Sequence, residues 1–441
     1  MSTPSNPSAL VCTACGWRPA ADALYPFACA QRGQGDGEHL LEHRLADDAM
    51  LDRNDSVNPF VRWREALYAW HAARARGWRD ADFVSLVQRL DESIARVDGH
   101  GFAITPFGTA PSLGQRLGLK LWVKDETHNV AGSHKARHLM GLLLYLAVVE
   151  GSPGRAASET QAPLAIASCG NAALAAAVLA RAASRALQVY VPPDAESAVL
   201  DRLAALGANV LTCPREAGEL GDPCMRHFHK ALTQGALPFC CQGNENGLAI
   251  DGGQTLVFEI LAAGAPPLDH LVVQVGGGAL ASACMQAYAH AQLRGLVHQL
   301  PRVHVVQTQG AAPLARAWTR VQQRMADQGE SADAALAYAA RHRSQFMWPW
   351  EEPPHSVASG ILDDETYDWL AVLRGVAASG GSTVVVDEGT LEEANRLVCE
   401  TTPIRPSHTG SAGLAGLLQL QRQGLIAPGV RVGVLITGVQ R

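Results

Sequence analysis

Four short stretches of the 441-residue chain carry residue types whose spacing could do chemistry. In "KDETHNVAGSHKARHLMG", residues 124–141, an apolar run gives way to a helical pattern with Ser133, His134 and Lys135 at the junction. Ser133 is a natural N-cap, which places Lys135 in the first helical turn. That end of a helix carries partial positive charge, so the free amine is favoured over the ammonium. A free amine is what imine formation with an aldehyde needs. The plain alternative, an exposed lysine on an amphipathic helix, does not account for the electrostatically unfavourable end.

In "VVQVGGGALASACMQAY", residues 272–288, a continuous apolar run ends in Gly276, Gly277 and Gly278, and a helix follows from Ala279 and Leu280. Glycines let successive amides turn toward one point, and the helix terminus adds positive potential; together they make an anion cradle. Neither a Walker lysine nor a dinucleotide fingerprint accompanies it, so the anion is a small phosphate monoester, or the run is only a tight turn. In "IASCGNAALAAAVLARAA", Ser168, Cys169 and Gly170 form a small loop whose amides suit a carboxylate. Asn171 there offers a donor to a phenolic oxygen, or serves only as a cap. In "VGVLITGVQR", a strand delivers Thr437 and Gly438 at its carboxyl end, where open α/β sheets bind ligands. Thr437 can bond a neutral ring nitrogen there, or simply complete the strand. Amine, phosphate cradle, amide and hydroxyl together are the set that pyridoxal phosphate requires.

The elements that must hold these groups are also readable. Eight apolar runs, "LWVKDE", "PLAIAS", "ALQVYVP", "ANVLTC", "LVVQVGGG", "RVHVVQT", "STVVVDE" and "RVGVLITG", read as strands, most of them continuous enough in hydrophobicity to be buried on both faces. Helical patterns separate most of them, several ending at glycine. The alternation predicts an α/β fold of parallel sheets with helices on both faces. We expect a large domain from 101–132 and 236–441, a small domain over 133–235, and an irregular Cys-rich extension over 1–100 packed on the large domain. "EGSPGRAASETQAP" reads as a surface loop, and "MSTPSNPSAL" as a lead-in without the features of a secretory signal.

The chain is 47% hydrophobic and 18% charged with a formal charge of −6, and carries no basic stripe; nucleic acid is not expected as a partner. No apolar run is long enough to span a bilayer, so no membrane association is expected. The 10 cysteines are scattered, as suits buried thiols in a reducing cytoplasm. Cys12, Cys15, Cys29 and His39 have zinc-like spacing, but the second C-x-x-C is missing. No metal is assigned to them from the spacing.

The order of these motifs resembles that of the fold type II pyridoxal-phosphate enzymes, closest to the threonine synthase and serine/threonine dehydratase group. The resemblance runs from about Gly101 to the end and rests on "NVAGSHKARHLMG", "ASCGNAALAAA", "NENGLAIDGGQTLVFEIL", "VGGGALASA", "GSTVVVDEGTLEEANRLV", "SHTGSAGLAGL" and "VLITG". It implies two open twisted, mostly parallel sheets with helices on both faces and the cofactor between domains. It implies that Lys135 is the Schiff-base lysine and the base at Cα. It implies that His134 lies against the cofactor ring, where the family usually has Phe. Asn171 would bond the ring oxygen, Gly276 to Leu280 the phosphate, Thr437 the ring nitrogen, and Ser168, Cys169 and Gly170 the substrate carboxylate. It implies a cytoplasmic homodimer acting on a small amino acid. Amino-terminal C-x-x-C segments in threonine synthase relatives often form a small hairpin without obligatory metal. Arg137 stands near a position where threonine synthases commonly carry Asp, and with His134 it is expected to favour an anionic substrate group. The expected activity is a lyase working by β- or γ-elimination or replacement. The alternatives are a serine/threonine ammonia-lyase, a β-replacement synthase and a non-catalytic binding protein. "RHRSQFMWPWEEPPHSVASGILDD" is either a specificity element or an aromatic surface loop.

Overall fold

The computed structural model describes residues 8–20, 22–46, 48–49, 51, 54–151, 161–215 and 221–441. Residues 1–7 of the expected lead-in and 152–160 of the expected loop lie outside that set. Among the described residues, twelve strands form three sheets. They are β1 (Ala9–Cys12), β2 (Leu41–Arg44), β3 (Phe107–Thr109), β4 (Lys120–Asp125), β5 (Leu164–Ala167), β6 (Leu187–Val191), β7 (Asn209–Thr212), β8 (Leu237–Pro238), β9 (His270–Gln274), β10 (Arg302–Thr308), β11 (Ser382–Val386) and β12 (Arg431–Ile436).

All eight runs read from the sequence are strands, and each pairs in parallel with its neighbours among them. The six-stranded sheet has the order β11-β10-β9-β12-β4-β3, and the four-stranded sheet β7-β6-β5-β8. The two edge strands beside them were not legible. β3 is a three-residue antiparallel partner of β4 containing glycine. β8 is two residues long and ends in proline, so its apolar signal is too brief to separate from a loop.

Continuous apolar strands are explained by what covers them. On one face of the large sheet, the helices Ala249–Ala262, Ala279–Leu293 and Trp369–Ser379 pack on β9 and β10. On the other face, the helices Glu388–Thr401 and His408–Arg422 pack on β10, β11 and β12. The four-stranded sheet shares a core with the helices Lys135–Glu150 and Asn171–Ala182. Parallel strands of both sheets deliver their carboxyl ends to loops, and every candidate site residue lies on such a loop or on the helix turn that follows it.

The expectation of an irregular first hundred residues is corrected. The helices Tyr68–Ala75 and Asp80–Asp98 occupy much of the second half. The longer one buries Phe83, Leu86, Val87 and Ile94, a helical spacing, and Asp82 accepts the Arg79 amide at 2.9 Å at its start. Proline, cysteine and tryptophan elsewhere in the segment masked that period. The antiparallel hairpin β1–β2 is present before these helices.

Candidate active site

The Lys135 turn is built on a buried ion network. Arg137 is 1% exposed. Its Nε donates to Glu126 Oε2 at 2.8 Å and its Nη2 to Glu126 Oε1 at 2.9 Å. Glu259, on the helix Ala249–Ala262, accepts Nη1 at 2.6 Å and Nη2 at 2.9 Å. The hydroxyls of Thr255 and Thr105 accept at 2.9 and 3.0 Å. Lys124, fully buried on β4, bonds Glu259 and donates to the Thr105 carbonyl at 2.7 Å. Burial would raise the Glu126 carboxyl, but Arg137 and Lys124 hold it down at about 2. Two cations thus face two carboxylates in a dry interior.

This overturns the expected role of Arg137 in substrate binding. Its donors are spent on Glu126, Glu259, Thr105 and Thr255, and it is closed off from the cleft. A second correction concerns the helix start. His134, not Ser133, is the N-cap of the helix Lys135–Glu150, and it caps with no side-chain bond. Ser133 is extended and bridges to Gly438. Lys135 is nonetheless the first residue of that helix, half-buried and without a hydrogen bond to any described residue.

His134 donates its amide to the Thr437 carbonyl at 3.1 Å, and its Nδ1 lies 3.2 Å from the same oxygen. Burial, with Lys135 and His138 beside it, keeps its imidazole well below the ordinary histidine value, so it is neutral. His138, edge-on to it, accounts for its own Nδ1 at the Ala249 carbonyl, 2.7 Å away. Thr437 is 1% exposed at the end of β12. Its hydroxyl oxygen accepts from Gln274 Nε2 at 2.7 Å. That amide nitrogen also faces the carbonyls of Thr409 and Gly410 at 3.1 and 3.0 Å, which fixes its identity as donor. The Thr437 proton is therefore left to donate elsewhere. Gln274 is a site residue that sequence reasoning missed, although it sits on the strand leading to the glycine run.

Asn171 begins the helix Asn171–Ala182 and lies over Gly438, where an added Cβ would stand 2.7 Å from Asn171 Nδ2. Arg441 donates to Asn171 Oδ1 at 2.9 Å, which orients the amide nitrogen to the opposite side. Ser168, Cys169 and Gly170 form the preceding loop after β5, with Cys169 exposed. Gly276, Gly277 and Gly278 follow β9, and Ala279 and Leu280 open the next helix. Gly278 has φ +98°, and a Cβ on Gly276 or Gly277 would come within 2.3 or 2.8 Å of Asp363 or Tyr367. The Asp363 carboxylate thus lies against the glycine run, and the Gly277 amide there lowers its proton affinity.

Asp363 ties the two halves of the site together, because it meets the glycine run and feels Lys135. Burial pushes it up to about 6, against the pull of Lys135 and the Gly277 amide. Asp368, on the same segment, is pushed up to about 7 by burial, although the Gly243 amide and Lys135 oppose this. Cys241, also within the field of Lys135, is a neutral thiol pushed up to about 11 by burial. These three were missed as well. The expected specificity segment divides into two parts. Its first part is aromatic packing, with Arg316 stacked 3.8 Å over Trp348. Its second part runs through Ile361 and Asp363 to the glycine cradle.

A model of the pyridoxal-phosphate dependent enzyme family matches residues 100–438. The chain belongs to this family. Pyridoxal phosphate is its cofactor, and the residues fit the group. A lysine amine with no hydrogen-bond partner among the described residues, a glycine run, an oriented amide and an oriented hydroxyl lie at neighbouring strand ends. The chain is 25% identical over 339 residues to a threonine synthase of Mycobacterium leprae, covering 76% of this chain and 80% of that one. It shares its fold with threonine deaminase isoform 2 of Solanum lycopersicum, at TM-score 0.58 and 16% identity over 82% of this chain and 91% of the other. Maize serine racemase matches at TM-score 0.56 and 19% identity, over 80% and 92% of the two chains.

Two predictions follow from the geometry. Arg137→Ala leaves Glu126 without its guanidinium partner and Glu259 with Lys124 alone, so it should cost about 3–5 kcal/mol of stability in urea unfolding; a stable variant altered only in substrate preference would restore the discarded role. Asp363 lies against the glycine run where the phosphate would bind, so its charge would oppose that of the phosphate. Asp363→Asn should therefore bind pyridoxal phosphate several-fold more tightly at about pH 8, with the gap to wild type closing below about pH 6, where the wild-type carboxyl takes up its proton. Absorbance titration of the apoprotein reads this, and equal affinities at pH 8 would show that Asp363 moves aside without cost.

Proposed function

We propose that this chain is a lyase that uses pyridoxal phosphate to remove the α-proton of a small α-amino acid and expel a substituent from Cβ or Cγ, by elimination or replacement on a threonine synthase-like framework. The observation that carries this reading is the oriented Thr437 hydroxyl. Gln274 occupies its acceptor side, so its proton would be free for an unprotonated ring nitrogen. When bound, the cofactor supplies an aldehyde for amines and an electron sink at Cα. A neutral hydroxyl beside the ring, where a carboxylate would keep the nitrogen protonated, weakens that sink. Departure of a group from Cβ then competes well against transamination. Lys135 Nζ is the group to accept the α-proton. His134 and His138 stay neutral, the latter at about 3, and add bulk without charge next to it. The Ser168–Gly170 amides, at a helix start, suit the α-carboxylate. A racemase would share the proton abstraction, and the product distinguishes the two.

A second observation favours the ammonia-lyase alternative over a phosphorylated substrate. The Cys169 thiol is pushed up first by desolvation in the cleft and then by the carboxylates of Asp194, Asp222 and Asp363. Asp222 also raises Asp363 and Asp364. With Arg137 engaged elsewhere, the wall beside the carboxylate loop is acidic. It opposes a second anion on the substrate and suits a neutral or cationic substituent such as hydroxyl or ammonium.

The test is a substrate panel on the cofactor-loaded enzyme: L-serine, L-threonine, L-2,3-diaminopropionate, O-phospho-L-serine and O-phospho-L-homoserine, read as keto acid, ammonia, threonine and D-amino acid. Keto acid and ammonia should come from the first three at kcat/KM at least about tenfold above the phosphorylated pair, since a like charge at the wall costs on the order of 1–2 kcal/mol. Threonine from O-phospho-L-homoserine as the main activity would sink the acidic-wall argument. D-amino acid as the main product would sink the lyase reading, and undiminished turnover by Lys135→Ala would sink both.

A further inference from the structure

Cys12, Cys15, Cys29 and His39 come from three separate stretches of the amino-terminal segment, and their ligand atoms all lie within 4.8 Å of one another. Cys15 Sγ is 3.7 Å from Cys29 Sγ. His39 Nδ1 is 3.5 Å from Cys12 Sγ and 3.7 Å from Cys29 Sγ. A tetrahedral zinc with Zn–S bonds of about 2.3 Å and Zn–N of about 2.0 Å has edges of about 3.5–3.8 Å. The three separations are already edges of that figure. We propose that these residues form a structural Cys3His zinc site. Three thiols give up their protons and the neutral imidazole coordinates through Nδ1, leaving a closed site of net charge −1 with no position for a substrate.

The surrounding backbone is arranged for it. Cys12 ends β1, and the chain turns back through a tight loop in which Gly16, at φ +72°, donates its amide to the Cys12 carbonyl at 3.0 Å. That loop brings Cys15 beneath Cys12. The Gln31 amide donates to Cys29 Sγ at 3.4 Å, a bond that a thiolate strengthens. Gly37 leaves room for the far edge of the His39 ring, since a Cβ there would stand 2.9 Å from Nε2. Cys12 and Cys29 are 2% and 3% exposed, in a small core with Leu41. The missing second C-x-x-C thus does not exclude a metal, because His39 supplies the fourth ligand from the strand approach to β2.

The site would act on the cofactor cleft through the loop it closes. Arg32 bonds Glu245, with Nη1 to Oε2 at 2.9 Å. The Gly247 amide donates to the Phe27 carbonyl at 2.9 Å, and His43 Nδ1 meets Asp251 at 3.0 Å. Glu38 accepts from Arg343 Nε at 2.9 Å and from Trp369 Nε1, one residue beyond Asp368. Zinc would hold this strap in one shape against both edges of the site.

The experiment is metal analysis of the full chain, made without a polyhistidine tag and kept reduced. About one zinc per chain is expected, falling below about 0.1 in Cys15→Ser and in Cys29→Ser but not in Cys399→Ser. Because Cys15 is exposed, its substitution opens no cavity in the core. Replacing zinc with Co2+ in the wild-type protein should give the visible bands of a tetrahedral thiolate site, with near-ultraviolet sulfur-to-cobalt charge transfer. Metal-free protein with free thiols that retains no Zn2+ after reconstitution, and gains no such bands with Co2+, under reducing conditions would overturn the proposal. So would a Cys15–Cys29 disulfide that persists as the native form. Neither readout depends on turnover.

Discussion

The guanidinium of Arg137 between Glu126 and Glu259 is the constraint on which the rest of the site depends. Taking two carboxylates and two cations out of water is unfavourable unless every charge finds its partners. Here the geometry that satisfies them also fixes three elements at once. Glu126 follows β4, Arg137 lies in the first turn of the lysine helix, and Glu259 projects from the helix Ala249–Ala262. The two helices approach so closely that a Cβ on Gly252 would fall 1.9 Å from the Arg137 carbonyl. Lys135 stands two residues before this anchor and inherits its position from it. The amine can therefore remain unbonded, because the charge that holds its helix in place is on another residue.

How much of this was legible depends on the distance over which each feature is decided. Buried parallel strands announce themselves as unbroken apolar runs, and glycine, asparagine and threonine at their ends are local facts. The eight parallel strands, the glycine turn and the lysine at its helix start were accordingly readable. Arg137 was misread because its partners lie 11 and 122 residues away, and charge beside a reactive lysine looks like charge for a substrate until those partners are known. Gln274 was passed over as one polar residue in an apolar strand, yet it decides which way the Thr437 hydroxyl faces. Asp363 and Asp368 lie in a segment whose aromatic residues drew attention to the wrong end. Ser133 met every local criterion for a cap and lost to the backbone bridge with Gly438.

The groups that would handle the cofactor and those that would choose the substrate are supplied by different parts of the chain. Lys135, Asn171, the glycine run and Thr437 sit on the ends of strands and the starts of helices, where the two sheets fix them. The acidic wall comes from Asp194 after β6, Asp222 at the cap of the helix Pro223–Thr233, and the segment through Asp363. Loops can change charge without disturbing a sheet, whereas a change at Thr437 or Gln274 would alter the ring nitrogen for every substrate alike.

The wall segment is itself restrained from outside. Glu38 reaches Trp369 and Arg343, and Arg343 also bonds Glu365, so a strand approach in the amino-terminal segment grips both flanks of the stretch that carries Asp363. An acidic side chain held against a glycine cradle at a raised proton affinity is an unfavourable arrangement, and it persists only if its backbone has nowhere else to go. The amino-terminal strap supplies that restraint. Among the described residues, the contacts of Glu38 fall on Arg343 and Trp369 and not on Lys135, Asn171 or Thr437, so the backbone that carries Asp363 is restrained separately from the lysine helix.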